Sequence, residues 1–473
     1  MFTESFVTSI RAQSRTPSSS SLPRDVGIHV HTLRPVHAVT STFRKSSTPP
    51  NCLAVSSTHI FAAQAEKAVV HVYPRQRAGQ EALIPFPERV HSLSLAYDGL
   101  LALGTAEGRV ILWELCSGRQ VATLPSHLQA VSCLAATPYH LISGSEDSNI
   151  HVWSIPRLLS FASADTPEPL RSLSNHRASI TSLALGHSAT RTNICVSASK
   201  DNTCVVWNYQ TGDVLRTFLL HSTPLCLALD PCDRAFYVGF DDATIQPIDL
   251  VTPDTASSVS VANTIHDPAF ASTPIQPAPS PLTGSPTDIG AVQCLALSYD
   301  GTTILSGHAS GKLLSWSIGP RKFTTEITDL HYPITNLTVL DPFRPPLDPH
   351  QRNPAVATNP VSVVKPRVGE TSLGSYTFTA QLIGSLDAAT DSDGEVESLI
   401  PAPGFPTGLL EAAILEVTNQ PNALPSQGAS EAGLVGLQKE NDDLWNVVAE
   451  LRALQKRTFE NYLAAKHGDA AAE

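Results

Sequence analysis

The chain has 473 residues, of which 42% are hydrophobic and 16% charged, with 37 prolines and a formal net charge of −12. That apolar content excludes an intrinsically disordered chain, and the acidic balance excludes a surface that grips nucleic acid as a whole through phosphate neutralisation. A local basic patch remains a route to direct RNA contact.

No run of about eighteen apolar residues is present, so no membrane-spanning helix is expected. The opening MFTESFVTSIRAQSR lacks the apolar core of a signal peptide. From there on, short strand-like runs follow one another, cut by Pro, Gly and Ser. ESFVTSI (Glu4–Ile10) comes first, then DVGIHVHTL, AEKAVVHVY, GTAEGRVILWEL, SGSEDSNIHVWSI, SASKDNTCVVWNY, GFDDATIQPIDL and GHASGKLLSWSI. Aligned on one position, the last seven are copies of a single unit. Their slots are His31, Tyr73, Trp113, Trp153, Trp207, Ile248 and Trp316. The intervals are 42, 40, 40, 54, 41 and 68 residues, and four of them match the roughly 40–45-residue period of a WD40 propeller blade. The two long ones contain insertions. PRLLSFASADTPEPLRS follows Ile155, and a Pro/Ser-rich stretch, 251–288, follows Leu250 and is too poor in periodic apolar residues to be expected to hold structure.

Within each copy the side chains alternate. In the best one Ile150 and Val152 face one way, His151 and Trp153 the other, and both faces are covered by neighbouring blades. An Asp precedes the slot by six residues at Asp25, Asp147, Asp201 and Asp242, and a His opens the first strand of three copies at His127, His176 and His221. His127, Ser143, Asp147 and Trp153, and again His176, Ser197, Asp201 and Trp207, are therefore expected to form buried hydrogen-bonded networks that specify the fold. A catalytic His–Asp pair would not recur blade after blade. Ring closure is expected in the blade of His31, with ESFVTSI as an inner or middle strand and PITNLTVLDP completing it from the other end of the repeats. The expected fold is all-β, a seven-bladed WD40-type propeller over 1–341. An irregular acidic linker at 342–433 follows, with a possible further strand at 375–382.

No catalytic motif, phosphate loop, cofactor fingerprint or zinc signature is present. GHASG (307–311) reads as a turn in the repeat register. The His29/His31 doublet reads as packing rather than a metal pair, because His29 occupies the place of His151. The acidic TDSDGE reads as a solvated linker with Ser392 as a phosphorylation candidate. Eight cysteines without a C-x-x-C pair are expected as buried free thiols.

The chain ends differently. Leu434, Leu437, Asn441, Leu444, Val448, Leu451, Gln455, Thr458 and Tyr462 repeat at alternating three- and four-residue steps, about four heptads of a coiled-coil seam within a helix at 434–467. Asn441 is a register-setting polar residue on that seam, and Trp445 lies beside it. Such a helix either pairs with a second copy or a partner helix, or folds back on the propeller. The heptads favour pairing, which assigns Leu437, Asn441, Leu444, Trp445, Val448, Leu451 and Tyr462 to the interface.

Several strings are not generic to such repeats: KSSTPPNCLAV, EALIPFPERVHSL, VILWELCSGRQ, EDSNIHVWSI, SASKDNTCVVW and the terminal NDDLWNVVAELRALQKRTFENYL. In these the chain resembles the fungal Ipi-three family of pre-rRNA-processing proteins, the WD-repeat subunits of the Rix complex. The resemblance implies a non-enzymatic nuclear scaffold on the pre-60S particle that supports internal-transcribed-spacer processing. The partners it implies are the Rix complex subunits and the midasin ATPase, with homodimerisation through the terminal helix. A role in DNA replication licensing is attributed to the family too. The alternative is a WD-repeat adaptor of another complex, such as a ubiquitin ligase, although an F-box-like segment would be expected ahead of the blades.

Overall fold

The computed structural model describes residues 3–11, 26–160, 168–186, 193–250, 274–342 and 363–366, less the single positions 78, 98, 279, 285 and 287. The coiled-coil seam with all seven interface residues, the possible strand 375–382, Ser392 and Asp25 lie outside these residues.

Seven antiparallel sheets follow one another along the chain, each holding one of the seven slots. Residues 53–85, 90–122, 131–173, 180–219, 224–249 and 292–329 form the second to seventh blades, and the first is composite. In it the strand Ile334–Val339 lies innermost and pairs antiparallel with Glu4–Ile10, from Phe6 opposite Val339 to Ile10 opposite Ile334. Val26–Arg34 and Ala38–Arg44 complete the sheet. The two ends of the repeat region thus close the ring, which removes the free edges an open array would expose.

The core lies between blades rather than within them. Ile150 and Val152 pack with Ile180, Cys195 and Val205 of the fifth blade, while Trp153 packs with Leu100, Ala102, Val110 and Leu112 of the third. The alternation read from the sequence has this physical meaning: each strand buries one face against the blade before it and the other against the blade after it. Close approach at these seams needs small residues. A Cβ on Gly104, Gly144, Gly239 or Gly307 would come within 2.6–2.9 Å of Val131, Ile180, Val292 or Ile334, each on the inner strand of the next blade. All eight cysteines are free thiols. Six are buried, and Cys116 and Cys232 are exposed.

Two segments differ from expectation. In the first insertion, Ile155–Leu159 forms a short helix capped by Ser154, with Ile155 and Leu158 buried. The larger difference lies at the C-terminal end of the 251–288 insertion, where residues 274–284 form a strap across three blades. Ile275 exchanges backbone hydrogen bonds with the outer strand of the fifth blade (Ile275 N to Thr217 O, 2.8 Å; Leu219 N to Ile275 O, 2.9 Å). Leu282 N donates to Ile245 O of the sixth blade (2.9 Å), and Thr283 exchanges hydrogen bonds with Arg321 and Phe323 of the seventh. The prolines between lack N–H groups and cannot build a ladder. Two apolar anchors suffice instead, Ile275 and Leu282, each set into an interblade cluster. Anchors this sparse carry no periodicity, so composition alone missed them. The sixth sheet correspondingly has three strands among the described residues.

Candidate functional site: repeated networks beneath the propeller ends

The first strand of the fourth blade is entered through the turn that carries His127, and the turn after its second strand carries Asp147. Between them a chain of hydrogen bonds runs through the blade. Trp153 Nε1–H donates to Ser143 Oγ at 3.0 Å, Ser143 Oγ lies 2.8 Å from His127 Nε2, and His127 Nδ1 lies 3.3 Å from Asp147 Oδ2. A carboxylate only accepts, so the Nδ1 proton faces Asp147 and Nε2 accepts from the serine hydroxyl. Asp147 also accepts from the backbone N–H groups of Leu128 and Asn149, tying the two turns together. Burial pushes the His127 pKa down to about 4, which keeps the ring neutral, as this directional chain requires. Burial alone would raise the Asp147 carboxyl, but the Asn149 and Leu128 N–H groups and the neighbouring His127 together hold it below its ordinary value.

The fifth blade repeats the arrangement. Trp207 Nε1 to Ser197 Oγ is 2.8 Å, Ser197 Oγ to His176 Nε2 is 2.7 Å, and His176 Nδ1 to Asp201 Oδ2 is 3.3 Å, with Arg177 N and Thr203 N on the carboxylate. All eight residues read from the sequence as network members are thus brought together in two sets of four.

The other blades keep fragments. In the first, His31 stands in the tryptophan slot and its Nε2 lies 3.2 Å from Thr8 Oγ1, the hydroxyl at the register of Ser143. His31 also stacks on Phe6 (centroids 4.8 Å apart) and meets His37 through Nδ1. Burial drops the His31 pKa to about 3, with His29 and His37 adding to the shift. In the seventh, Trp316 Nε1 donates to Ser306 Oγ (2.8 Å), and the histidine is His308, two residues along the same strand. His308 therefore ends a strand rather than lying in a turn as read from GHASG. Its Nδ1–H ends on the Gly290 carbonyl instead of an Asp. The sequence held half the signal, a serine ten residues before a slot tryptophan, but the histidine sits in the wrong place for the motif. The sixth blade retains only an exposed His221–Asp242 pair.

Replacing Ser197 with alanine should be among the costlier single-atom deletions in the molecule. It leaves Trp207 Nε1 and His176 Nε2 buried without their shared partner, a loss of roughly 2–4 kcal/mol. The expected result is a fall of several degrees in Tm by calorimetry. An unchanged Tm would remove the network from the set of fold-specifying contacts.

The inner strands surround a channel of ≈ 380 Å³. Asn51, with φ of 57°, reaches from the second blade to donate to Ser132 O (3.1 Å) in the fourth and Thr181 O (3.2 Å) in the fifth. The channel wall carries Arg11, Arg89 and Lys200 together with Glu66 and Glu146. Mixed signs give no focused field that would draw in a polyanion. Among the described residues, no group of three or more His, Cys, Asp or Glu side chains could hold a metal ion. At the end of the ring where inner strands turn into second strands, Tyr97, Tyr139 and Tyr299 are exposed at 45%, 69% and 48%.

Seven sheets in a closed ring, two of them carrying the complete hydroxyl–ring network, define a WD-repeat β-propeller. The WD domain, G-beta repeat family matches residues 118–154 and 167–208, which span the two slots with complete networks. Over longer stretches the chain is similar to the pre-rRNA-processing protein IPI3 of Yarrowia lipolytica, at 27% identity across 86% of this chain and 93% of that protein. It is similar to WD repeat-containing protein 18 of Danio rerio at 27% identity (63% of this chain, 67% of the relative). The pre-rRNA-processing protein crb3/ipi3 of Schizosaccharomyces pombe matches at 25% identity (63% and 71%). The resemblance carried by the sequence strings is therefore borne out.

Proposed function

We propose that this chain is a non-catalytic scaffold subunit in nuclear pre-rRNA processing, acting on the pre-60S particle and holding its complex through the propeller. The observation that carries the reading is the similarity to a pre-rRNA-processing protein over 93% of that relative's length. Rigidity fits the role, since a closed ring whose blades are pinned by buried networks presents fixed surfaces for docking. The three exposed tyrosines at one end are the kind of aromatic points that protein interfaces favour. In this reading the partners are Rix complex subunits and the midasin ATPase, and two copies join through the 434–467 helix.

The test is purification of the tagged full chain from its own cells, with partners read by mass spectrometry and rRNA by hybridisation. Large-subunit precursors carrying the second internal transcribed spacer should co-purify, and depletion of the protein should make those precursors accumulate. Recovery without any large-subunit precursor would sink the reading. Removing 434–473 should halve the mass measured by light scattering, and an unchanged dimer mass would take the dimer interface away from that helix.

A further inference from the structure

Trp113 breaks the pattern of its repeat. The register position that holds Thr8, Ser143, Ser197 and Ser306 in other blades is Leu103 in the third, opposite Ile111. A buried indole N–H without a hydroxyl needs another acceptor. It finds one 251 residues away in the chain: Trp113 Nε1–H donates to the backbone carbonyl of Val364 at 3.1 Å. Val364 in turn donates its own N–H to Leu115 O at 2.8 Å. Val363 packs onto the cluster that includes Phe61 of the second blade, Phe86 just after it, and Trp113 and Leu115 of the third. Gly118, at φ +73°, gives way to the same segment, because a Cβ there would lie 2.6 Å from the Lys365 carbonyl. Lys365 itself is exposed, and Pro366 follows.

These contacts have the parts of a linear-peptide site. One backbone carbonyl and one N–H are satisfied by fixed groups, one apolar side chain enters a floor shared by two blades, and a glycine clears the backbone beyond it. The third residue of the segment faces solvent and is unconstrained. We propose that the notch at the seam of the second and third blades is a peptide-binding site that reads a short segment with two adjacent apolar residues followed by an unrestricted one. Val363–Pro366 fills it in cis. In this scheme Leu103, standing where other blades carry a hydroxyl, leaves the Trp113 N–H free to hold the segment.

Two measurements on the full chain decide it. In hydrogen exchange resolved to single amides, the Val364 amide should exchange at least about tenfold more slowly than in a free peptide of residues 359–369. Trp113→Phe keeps a ring in the seam but removes the donor, and should abolish much of that protection. A Val364 amide that exchanges at the free-peptide rate overturns the proposal. The second measurement uses a Val363→Asp/Val364→Pro variant, whose changes lie outside every blade strand and leave the sheets their ladders. A labelled 359–369 peptide, titrated to about the millimolar effective concentration that a tethered segment reaches, should bind this variant at least about tenfold more tightly than the wild-type chain. A peptide carrying the same two changes should bind neither. Equal binding to both proteins means that the notch is not filled in cis, and no binding to the variant means that it does not read peptides. Either result rejects the proposal.

Discussion

Ile334→Asp in the full chain should abolish cooperative unfolding, leaving a broad melt and a propeller open to proteolysis between its first and seventh blades. Ile334 is fully buried at the start of the innermost strand of the composite blade. It lies against the seventh blade at Gly307, and its carbonyl accepts from Cys294 Sγ. A carboxylate there has no cation within its apolar cluster of Phe6, Ile10, Cys294, Leu305, Leu313, Leu330 and Leu337, and an unpaired buried charge costs several kcal/mol. The strand it starts holds three blades at once. Two residues on, Asn336 Nδ2 donates to Ser9 Oγ and to Pro49 O, and its Oδ1 accepts from Cys52 N of the second blade. Thr335 Oγ1 donates to Thr48 O at 2.7 Å. Against a typical domain stability of about 5–15 kcal/mol, the loss of this stitch is comparable to the whole. Asn336→Ala, which removes only the polar part, should cost roughly 2–4 kcal/mol and keep a single transition. Calorimetry separates the two. A cooperative transition for Ile334→Asp within a few degrees of the wild-type chain would show that the ring does not depend on this closure.

The difference between what the sequence revealed and what it hid follows the range of the interactions. Seven slots were legible because every blade must present an aromatic or apolar residue at the same register, and a repeat displays that requirement seven times. His31 was found in a tryptophan slot for this reason, and the structure gives it the same hydroxyl partner that a tryptophan would have. The networks at Trp153 and Trp207 were legible because all four members sit at repeating distances along one blade. Trp113, Trp316 and the 274–284 strap were not. The acceptor of Trp113 lies in another region of the chain, and the histidine of the seventh blade is displaced onto a neighbouring strand position. The strap holds on by two apolar anchors among prolines, too few to produce a period. One-off solutions leave no pattern for a pattern-based reading to detect, however much energy they carry.

Acid should unfold this propeller well above the pH at which its carboxylates titrate. Burial holds His29, His127 and His308 near pKa 4 and His31 near 3. In the unfolded chain each returns to about 6.5. A histidine kept neutral by the fold contributes fully above the unfolded value. As pH falls below about 6.5 the unfolded chain takes up protons that the folded chain refuses, so stability drops steadily towards pH 4. The fall from about 6.5 to about 4 is worth at most ~3.5 kcal/mol for each of His29, His127 and His308, and the deeper fall of His31 at most ~5 kcal/mol. His29 and His31 stack with ring centroids 5.9 Å apart, so a charge on one opposes a charge on the other. Even so, the four together approach the net stability of a domain. Below about pH 4 the depressed carboxyl of Asp147 adds a loss of the same sign, because its pKa is lowered in the fold. The expected outcome is a Tm that is level from pH 8 to 7, falls from about 6.5, and vanishes near pH 5. Between pH 6 and 5 the denaturant-derived stability should change with a slope of at least about two protons taken up on unfolding. His31→Phe, which keeps the stacking on Phe6 but removes one titrating ring, should lower that slope by up to about one proton. Stability that stays flat from pH 7 to 5 would mean that these histidines are not held neutral, and with that the directional hydrogen-bond chains through Ser143 and Ser306 would lose their basis.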